Sequence, residues 1–153
     1  MTWIYKGKEI NITQNLPKDS RNAYGFIYKI SYIGDTKEGI TKGKFYIGKK
    51  ALSFSKKKRL TIKEKKEPEN KRKRFKIDVR ESDWRDYQGS SLNLQKDIAI
   101  YGEENFTKII LFFCEDKINL TYKEMELQFQ YDVLRTDSWN ISIGGKFFKG
   151  KIK

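Results

Sequence analysis

Alternating apolar and polar positions predict the first strands of the chain. Residues 24–33, "YGFIYKISYI", alternate over ten positions and predict a strand. Residues 44–50, "KFYIGKK", predict the returning strand, because a glycine-bearing turn separates the two and favours antiparallel pairing. Residues 2–12 also alternate on either side of a glycine and predict a small hairpin, which a connector over residues 15–22 follows.

The second half of the chain combines helical spacing with one strongly apolar run. Residues 92–102 carry apolar side chains at helical intervals, with Ser90 or Ser91 as the N-cap and Gly102 as the C-terminal stop. Residues 105–113 predict a buried strand.

A second helix is predicted over residues 120–135, and it completes the set of elements. Its apolar face is expected to consist of Tyr122, Met125, Phe129 and Val133. The element order predicts an α/β (α+β) fold, with a small, mainly antiparallel three-stranded sheet flanked by helices. We expect one domain over residues 23–145, after an N-terminal extension (1–22) and before a basic tail (146–153).

The charge favours a polyanionic partner. The chain has 33 Lys plus Arg against 20 Asp plus Glu, a net charge of +13, which is typical of proteins that bind nucleic acid. Residues 56–76 hold twelve basic and three acidic residues without a regular apolar stripe, and predict a mobile basic insertion. No run approaches the ~20 apolar residues of a membrane span, so we expect no membrane partner and a cytoplasmic location.

The composition also restricts the chemistry. The chain has no histidine, which excludes a histidine base and histidine metal ligands. Cys114 is the single cysteine, so neither an internal disulfide nor a cysteine zinc cluster forms, and we expect this residue in the core. Acid–base catalysis must then use Tyr, Lys, Glu, Asp or metal-bound water.

Two tyrosines lie mid-strand on the predicted antiparallel pair. Tyr28 and Tyr46 are expected near each other, with Gly48, Lys49 and Lys50 immediately after the second. One interpretation is a cross-strand aromatic pair with a bulge glycine, which serves stability alone. The other is a phosphate-handling site, where the glycine permits close approach and the lysines supply positive charge.

The same two stretches resemble the motifs that define the GIY-YIG nuclease family, in its small phage-type, free-standing homing endonuclease-like members. Tyr46-Ile47-Gly48 matches the second motif literally, whereas Phe26-Ile27-Tyr28 stands in place of Gly-Ile-Tyr, with Gly25 one position earlier. "DWRDYQGSS", "YGEENF", "IILFF" and "WNISIGG" follow in the family's order, so the resemblance covers about residues 23–145.

This resemblance implies a catalytic site. Tyr28 and Tyr46 would border it, and Tyr46 would activate or orient the attacking water, with a pKa lowered by nearby cations. Lys49 would oppose developing negative charge, and Asn140 matches the family's late asparagine, which supports the site by hydrogen bonding. The family's arginine has no clear counterpart: Arg59, a lysine beside it, or an arginine of the "DWRDY" turn could serve.

A glutamate on the last helix would hold the divalent metal, Mg²⁺ or Mn²⁺. Glu124 and Glu126 both qualify, and Glu124 also matches the position in the phage-type members. An alternative reading of Thr121-x-x-Glu124 is a capping box, in which the glutamate only secures the start of the helix.

Double-stranded DNA is the implied partner. The residues expected to contact it are Gly48, Lys50, Lys56, Lys57, Lys58, Lys71, Arg72, Lys73, Arg74 and Arg85. Trp84 and Tyr87 would either pack internally or stack on a nucleotide. The sequence therefore favours a metal-dependent, phage-encoded homing or DNA-degrading endonuclease of the host cytoplasm, monomeric or dimeric. A non-catalytic nucleic-acid-binding protein that retains the fold is the alternative.

Overall fold

The computed structural model describes residues 1–10 and 17–153. Their strands are β1 (Trp3–Tyr5), β2 (Lys8–Glu9), β3 (Gly25–Tyr32), β4 (Phe45–Ala51), β5 (Ser53–Arg59), β6 (Phe75–Glu81), β7 (Phe106–Cys114), β8 (Ser142–Ile143) and β9 (Phe147–Phe148). Their helices are α1 (Ile62–Lys65), α2 (Leu92–Tyr101) and α3 (Lys117–Gln130). The C-terminal end of the predicted hairpin (residues 11–12) and the start of the connector (residues 15–16) lie outside the described residues. None of the described helices is long and apolar enough to cross a membrane.

The main sheet has five strands in the order β2-β1-β7-β3-β4. Strands β7, β3 and β4 pair antiparallel and correspond to the predicted three-stranded sheet. Strands β1 and β2 extend it, because β1 pairs parallel with β7 and antiparallel with β2. The fold is therefore mixed α/β as predicted, with a wider sheet than expected.

Both faces of the sheet are covered at strand β3, which lies between β7 and β4 and carries buried side chains on both sides. Phe26, Tyr28, Ile30 and Tyr32 point to one side, where they pack with Trp84 and the buried residues of α2. Ile27 points to the other side and packs with residues of α3 and of the segment after it. Successive side chains of a strand alternate between faces, so a strand buried on both sides needs this nearly continuous apolar run.

Helix α3 presents a different face to the sheet from the one predicted. Its buried residues are Leu120 and Gln128, whereas Tyr122 is 71% exposed and Phe129 is 52% exposed. The predicted apolar face is therefore wrong at Tyr122 and Phe129, whereas Met125 packs against the core and Val133 is fully buried, as expected. The reason is that two polar residues of the inward row have partners on β4: the side-chain amide of Gln128 donates to the Ile47 carbonyl oxygen, and Glu124 forms an ion pair with that strand.

The basic insertion over residues 56–76 forms most of a two-stranded ribbon, with a short helix at its tip, where a loop or insertion without regular structure was expected. Strands β5 and β6 pair antiparallel from Ser53↔Glu81 to Arg59↔Phe75, and we call residues 53–81 the arm. At its tip, Thr61 and Glu64 form the capping box of α1. Strand β6 alternates apolar and charged residues, a period of two that the density of charge in this region conceals.

Strand β4 lies at the edge of the main sheet, and the segment 137–140 covers part of that edge. The Trp139 N–H donates to the Phe45 carbonyl oxygen at 2.9 Å. At the next residue, the side chain of Asn140 makes the hydrogen bonds to β4 in place of the backbone. Its Oδ1 accepts from the Ile47 N–H at 2.9 Å, and its Nδ2 donates to the Ile47 carbonyl oxygen at 2.8 Å. We call this pair of hydrogen bonds the Asn140 clasp.

The clasp predicts a stability difference between two asparagines. Replacing Asn140 by Ala leaves the buried Ile47 N–H without its partner, and an orphaned buried donor costs roughly 1–3 kcal/mol. Asn93→Ala, at an exposed position of α2, is the control and should change stability by less than about 0.5 kcal/mol. Urea unfolding followed by tryptophan fluorescence measures both variants. Equal stabilities would show that the clasp contributes nothing to folding.

Candidate active site

A polar cleft opens beside the edge of β4, between the start of α2 and the middle of α3. Its volume is about 550 Å³. Its polar lining includes Tyr46, Ser90, Asn93, Glu124, Gln128 and Asn140. Among the described lining residues, Glu124 carries the only formal charge.

Tyr46 reaches the cleft from β4, and its hydroxyl lies 2.9 Å from the Ser90 Oγ. Burial raises the pKa of Tyr46 above its usual value; the Ser90 hydrogen bond opposes this, and the nearby Tyr87 and Glu124 add to the rise. The expectation of a lowered tyrosine pKa is therefore wrong, because the cost of burying a phenolate is the largest contribution. Tyr46 is a neutral phenol at physiological pH.

Tyr28 lies beneath the cleft and is fully buried. Its ring centroid is 6.1 Å from that of Tyr46 and 5.8 Å from that of Tyr87. Within the described residues its hydroxyl is the only buried side-chain polar atom without a hydrogen-bond partner. Burial raises the pKa of Tyr28 well above its usual value, so this hydroxyl also stays protonated.

Gly48 stands directly opposite Tyr28 in the β3–β4 register. A Cβ at this position would collide with the Tyr28 hydroxyl and lie 2.8 Å from the Tyr46 ring. The glycine thus makes room for the two tyrosine rings.

Glu124 and Lys49 connect α3 to β4. The Lys49 Nζ lies 3.0 Å from the Glu124 Oε2 and donates to the Thr121 Oγ1 at 3.0 Å. Helix α3 begins at Lys117 with Asp116 as its N-cap, so Thr121 lies within the helix. The capping-box alternative for Glu124 is therefore wrong.

Glu126 lies elsewhere on α3. Its carboxylate pairs with Lys123 at 2.7 Å, and it lines a separate hollow next to Phe112 and Cys114. The structure thus brings Glu124, and not Glu126, together with Tyr46 and Asn140. Cys114 is buried, as expected.

The Glu124 carboxylate suits a hydrated Mg²⁺ or Mn²⁺ ion. Within the described residues no group of three or more His, Cys, Asp or Glu side chains could enclose a metal. Mg²⁺ commonly binds through one or two carboxylates and completes its shell with water and substrate phosphate. A single carboxylate on a polar cleft, with one oxygen held by Lys49, fits that mode of binding.

The four candidate cations occupy four different places. Lys49 adjoins the cleft through Glu124, whereas Arg59 lies at the far end of β5. Arg85 lies in the turn before α2, where its Nη2 is 2.8 Å from the Glu81 carboxylate. Lys50 lies on the tyrosine side of the sheet, with its Nζ 3.8 Å from the Tyr87 ring centroid.

The remaining candidate DNA contacts belong to the arm. Lys56, Lys57 and Lys58 lie on β5, and residues 71–74 lie exposed immediately before β6. Trp84 is buried and its Nε1 donates to Glu81 at 2.8 Å, so its role is packing.

Three residues of the site have little signal in the sequence. Ser90 stands next to the serine that caps α2, and one serine of that pair is free for another role. Thr121 and Gln128 are ordinary polar residues of an amphipathic helix until the partner strand is known. The sequence signal for them is their spacing from Glu124: Thr121 lies three residues before it and Gln128 four after it, so all three share one side of the helix.

Comparison with known proteins gave two matches. The family profile described as "Putative endonuclease segE, GIY-YIG domain" matches residues 3–149. A protein of Enterobacteria phage T4 described as "Putative endonuclease segD" is 38% identical over 60 residues, which are 39% of this chain. The match covers 27% of that protein's length. No solved structure gave a significant match.

The orphaned hydroxyl of Tyr28 predicts an unusual effect on stability. Tyr28→Phe removes a buried polar atom without a partner, so the variant should be as stable as the wild type or more stable, by up to roughly 1–3 kcal/mol. Tyr32→Phe is the matched control on the same face of β3, because the Tyr32 hydroxyl donates to the Asp35 carbonyl oxygen at 2.9 Å. This control should lose about 1 kcal/mol. Thermal unfolding compares the two, and a destabilised Tyr28→Phe would contradict the expectation.

Proposed function

The chain belongs to the GIY-YIG endonuclease family, and on that premise we propose that it is a metal-dependent endonuclease that hydrolyses phosphodiester bonds of double-stranded DNA. One observation carries the proposal. A tyrosine hydroxyl and a lone carboxylate, from Tyr46 and Glu124, face the same cleft. Phosphodiester hydrolysis requires a positioned water and stabilisation of negative charge, and these groups can serve both needs without histidine.

Tyr46 orients the attacking water. Because its phenol is neutral, it can donate a hydrogen bond to the Ser90 Oγ and accept one from the water through its own oxygen. Because its pKa is raised, very little of Tyr46 is present as phenolate at neutral pH. Its contribution is therefore alignment of the water with the phosphorus atom, more than removal of a proton.

Glu124 holds the metal ion, and Lys49 fixes the carboxylate in place. When bound, a divalent ion polarises the phosphate and stabilises the departing 3′ oxygen. Lys49 contacts the carboxylate that faces the cleft, so its ammonium group also opposes charge that develops on a phosphate bound beside Glu124.

Asn140 and Gln128 support the reacting groups through the backbone. Both amides bond to Ile47, which lies between Tyr46 and Gly48 on β4. These bonds fix the part of the strand that carries Tyr46, and alignment within a fraction of an ångström is what a positioning role needs.

Basic residues of the arm contact the phosphate backbone of the DNA, and these contacts do not depend on its sequence. Contacts between lysines or arginines and phosphates release counterions, so binding should weaken steeply with salt. In a phage, such an enzyme would act in the host cytoplasm, as a homing endonuclease or in the degradation of competing DNA.

Glutamate-to-glutamine variants test the site on supercoiled plasmid. With Mg²⁺ we expect nicked or linear product from the wild type, none in EDTA, and a loss of about 100-fold or more in Glu124→Gln. Glu126→Gln is the matched control two residues along the same helix and should retain near wild-type cleavage. Binding to the same plasmid in EDTA should persist for both variants.

Two outcomes would contradict these assignments. A larger loss of cleavage in Glu126→Gln than in Glu124→Gln would identify Glu126, on the other side of α3, as the metal ligand. Tight binding without cleavage, on plasmid and on phage genomic DNA, would identify a non-catalytic DNA-binding protein.

The raised pKa of Tyr46 predicts how its contribution depends on pH. If the neutral phenol orients water, the ratio of the wild-type rate to the Tyr46→Phe rate should be constant between pH 6 and 9. A phenolate base with a pKa above its usual value of about 10 would instead make that ratio climb roughly tenfold per pH unit. Single-turnover cleavage of a plasmid across this range measures the ratio.

A further inference from the structure

The two faces of the arm differ in chemistry. The β5–β6 register places the exposed side chains of Phe75, Ile77 and Val79 on one face, across from Arg59, Lys57 and Ser55. We call these six residues the reading face. The opposite face, the charged face, carries Lys56, Lys58, Lys76, Asp78 and Arg80, with one exposed apolar residue, Phe54, at the base of the arm.

Cations of the charged face are largely paired within the arm. Asp78 binds Lys58 and Arg80, each at 2.9 Å, and Lys76 pairs with Glu64 at the tip. The arm as a whole has thirteen basic residues against five acidic ones. Such an excess favours a polyanion over a second copy of the same basic chain.

The reading face is unusual because it leaves apolar side chains in water. Ile77 is 68% exposed, Val79 is 65% exposed and Phe75 is 50% exposed. An exposed apolar stripe of this kind on a monomer commonly marks an interaction site. Lys57 and Arg59 flank the stripe, so its partner must accept both apolar contact and positive charge.

The major groove of duplex DNA has this combination of properties. It admits a two-stranded β-ribbon, and its floor presents the apolar methyl group of thymine beside the acceptor atoms of guanine. Lysine and arginine bind guanine O6 and N7, a serine hydroxyl can bond to either kind of edge, and aliphatic side chains contact the thymine methyl group.

We propose that the arm enters the major groove with its reading face toward the base edges, and so determines where the enzyme binds. The inference rests on the proposed function only in taking duplex DNA as the substrate. Phosphate contacts from the tip and from the charged face then fix the depth of the ribbon, whereas the reading face discriminates between sequences.

The attachment of the arm sets the distance between recognition and cutting. The Leu52 N–H donates to the Tyr24 carbonyl oxygen, and the Ser82 N–H donates to the Leu52 carbonyl oxygen, both at 2.9 Å. The base of the arm is thereby fixed to the sheet directly after β4. A seven-residue strand spans about 24 Å at roughly 3.4 Å per residue, which equals about seven base pairs at roughly 3.4 Å each. The read bases should lie on one side of the cut, within about that distance.

Selection of binding sites from a random duplex library tests the proposal with full-length protein in EDTA. The wild type should select a preferred sequence, and N7 methylation of guanines within it, a major-groove change, should block binding. Lys57→Ala should lose preference at one or two positions. Lys56 is the neighbouring lysine on the charged face. The Lys56→Ala variant should keep the wild-type sequence preference and bind every sequence several-fold more weakly. Far-UV circular dichroism confirms that both variants fold.

Each alternative result overturns the inference. Three outcomes would show that the arm only contacts phosphates. These are a wild type without sequence preference, binding that N7 methylation does not change, and equal effects of the two lysine variants. A dimer that Ile77→Asp dissociates without changing the selected sequence would assign the reading face to a second copy of the chain. Because binding is measured without metal, these outcomes are separate from a failure of plasmid cleavage.

Discussion

The free edge of β4 is the constraint around which the site is arranged. An edge strand that carries buried residues must find partners for its outward N–H and C=O groups. Here the backbone of the segment before Asn140 bonds to Phe45, and the amides of Asn140 and Gln128 bond to Ile47. At Ile47 the side chains of Asn140 and Gln128 make the hydrogen bonds that a neighbouring strand would otherwise make. The backbone of the segment that carries Asn140 can therefore turn away from the sheet there. The space that results is the cleft, and Tyr46 and Glu124 face it.

The two motif tyrosines have diverged into different physical roles. Tyr46 is half-buried with its hydroxyl at the cleft, whereas Tyr28 is wholly enclosed and its hydroxyl has no partner among the described residues. An unsatisfied buried hydroxyl costs free energy, and native proteins tolerate such costs where function requires the group. Gly48 reduces the steric part of that cost, since any side chain there would displace one ring or the other.

Local periodicity was sufficient to predict β3, β4, β7 and α2, because each buries the face that its own pattern marks. The orientation of α3 was not predictable, since it depends on Gln128 reaching a carbonyl 81 residues away in sequence. The arm was missed because dense charge hid its period of two. The pKa of Tyr46 was predicted in the wrong direction, because only the fold shows how strongly burial raises it.

The arm leaves the domain at Leu52 and returns at Ser82, two residues that are hydrogen-bonded to each other. An insertion whose ends meet at one point places no mechanical demand on the rest of the chain, and its entropic cost rises only slowly with length. Ribbons of other lengths and sequences can therefore be exchanged at this junction without altering the ladder between β3 and β4. The arm is in effect an exchangeable part, on which evolution can act while the strands that carry Tyr28 and Tyr46 stay fixed.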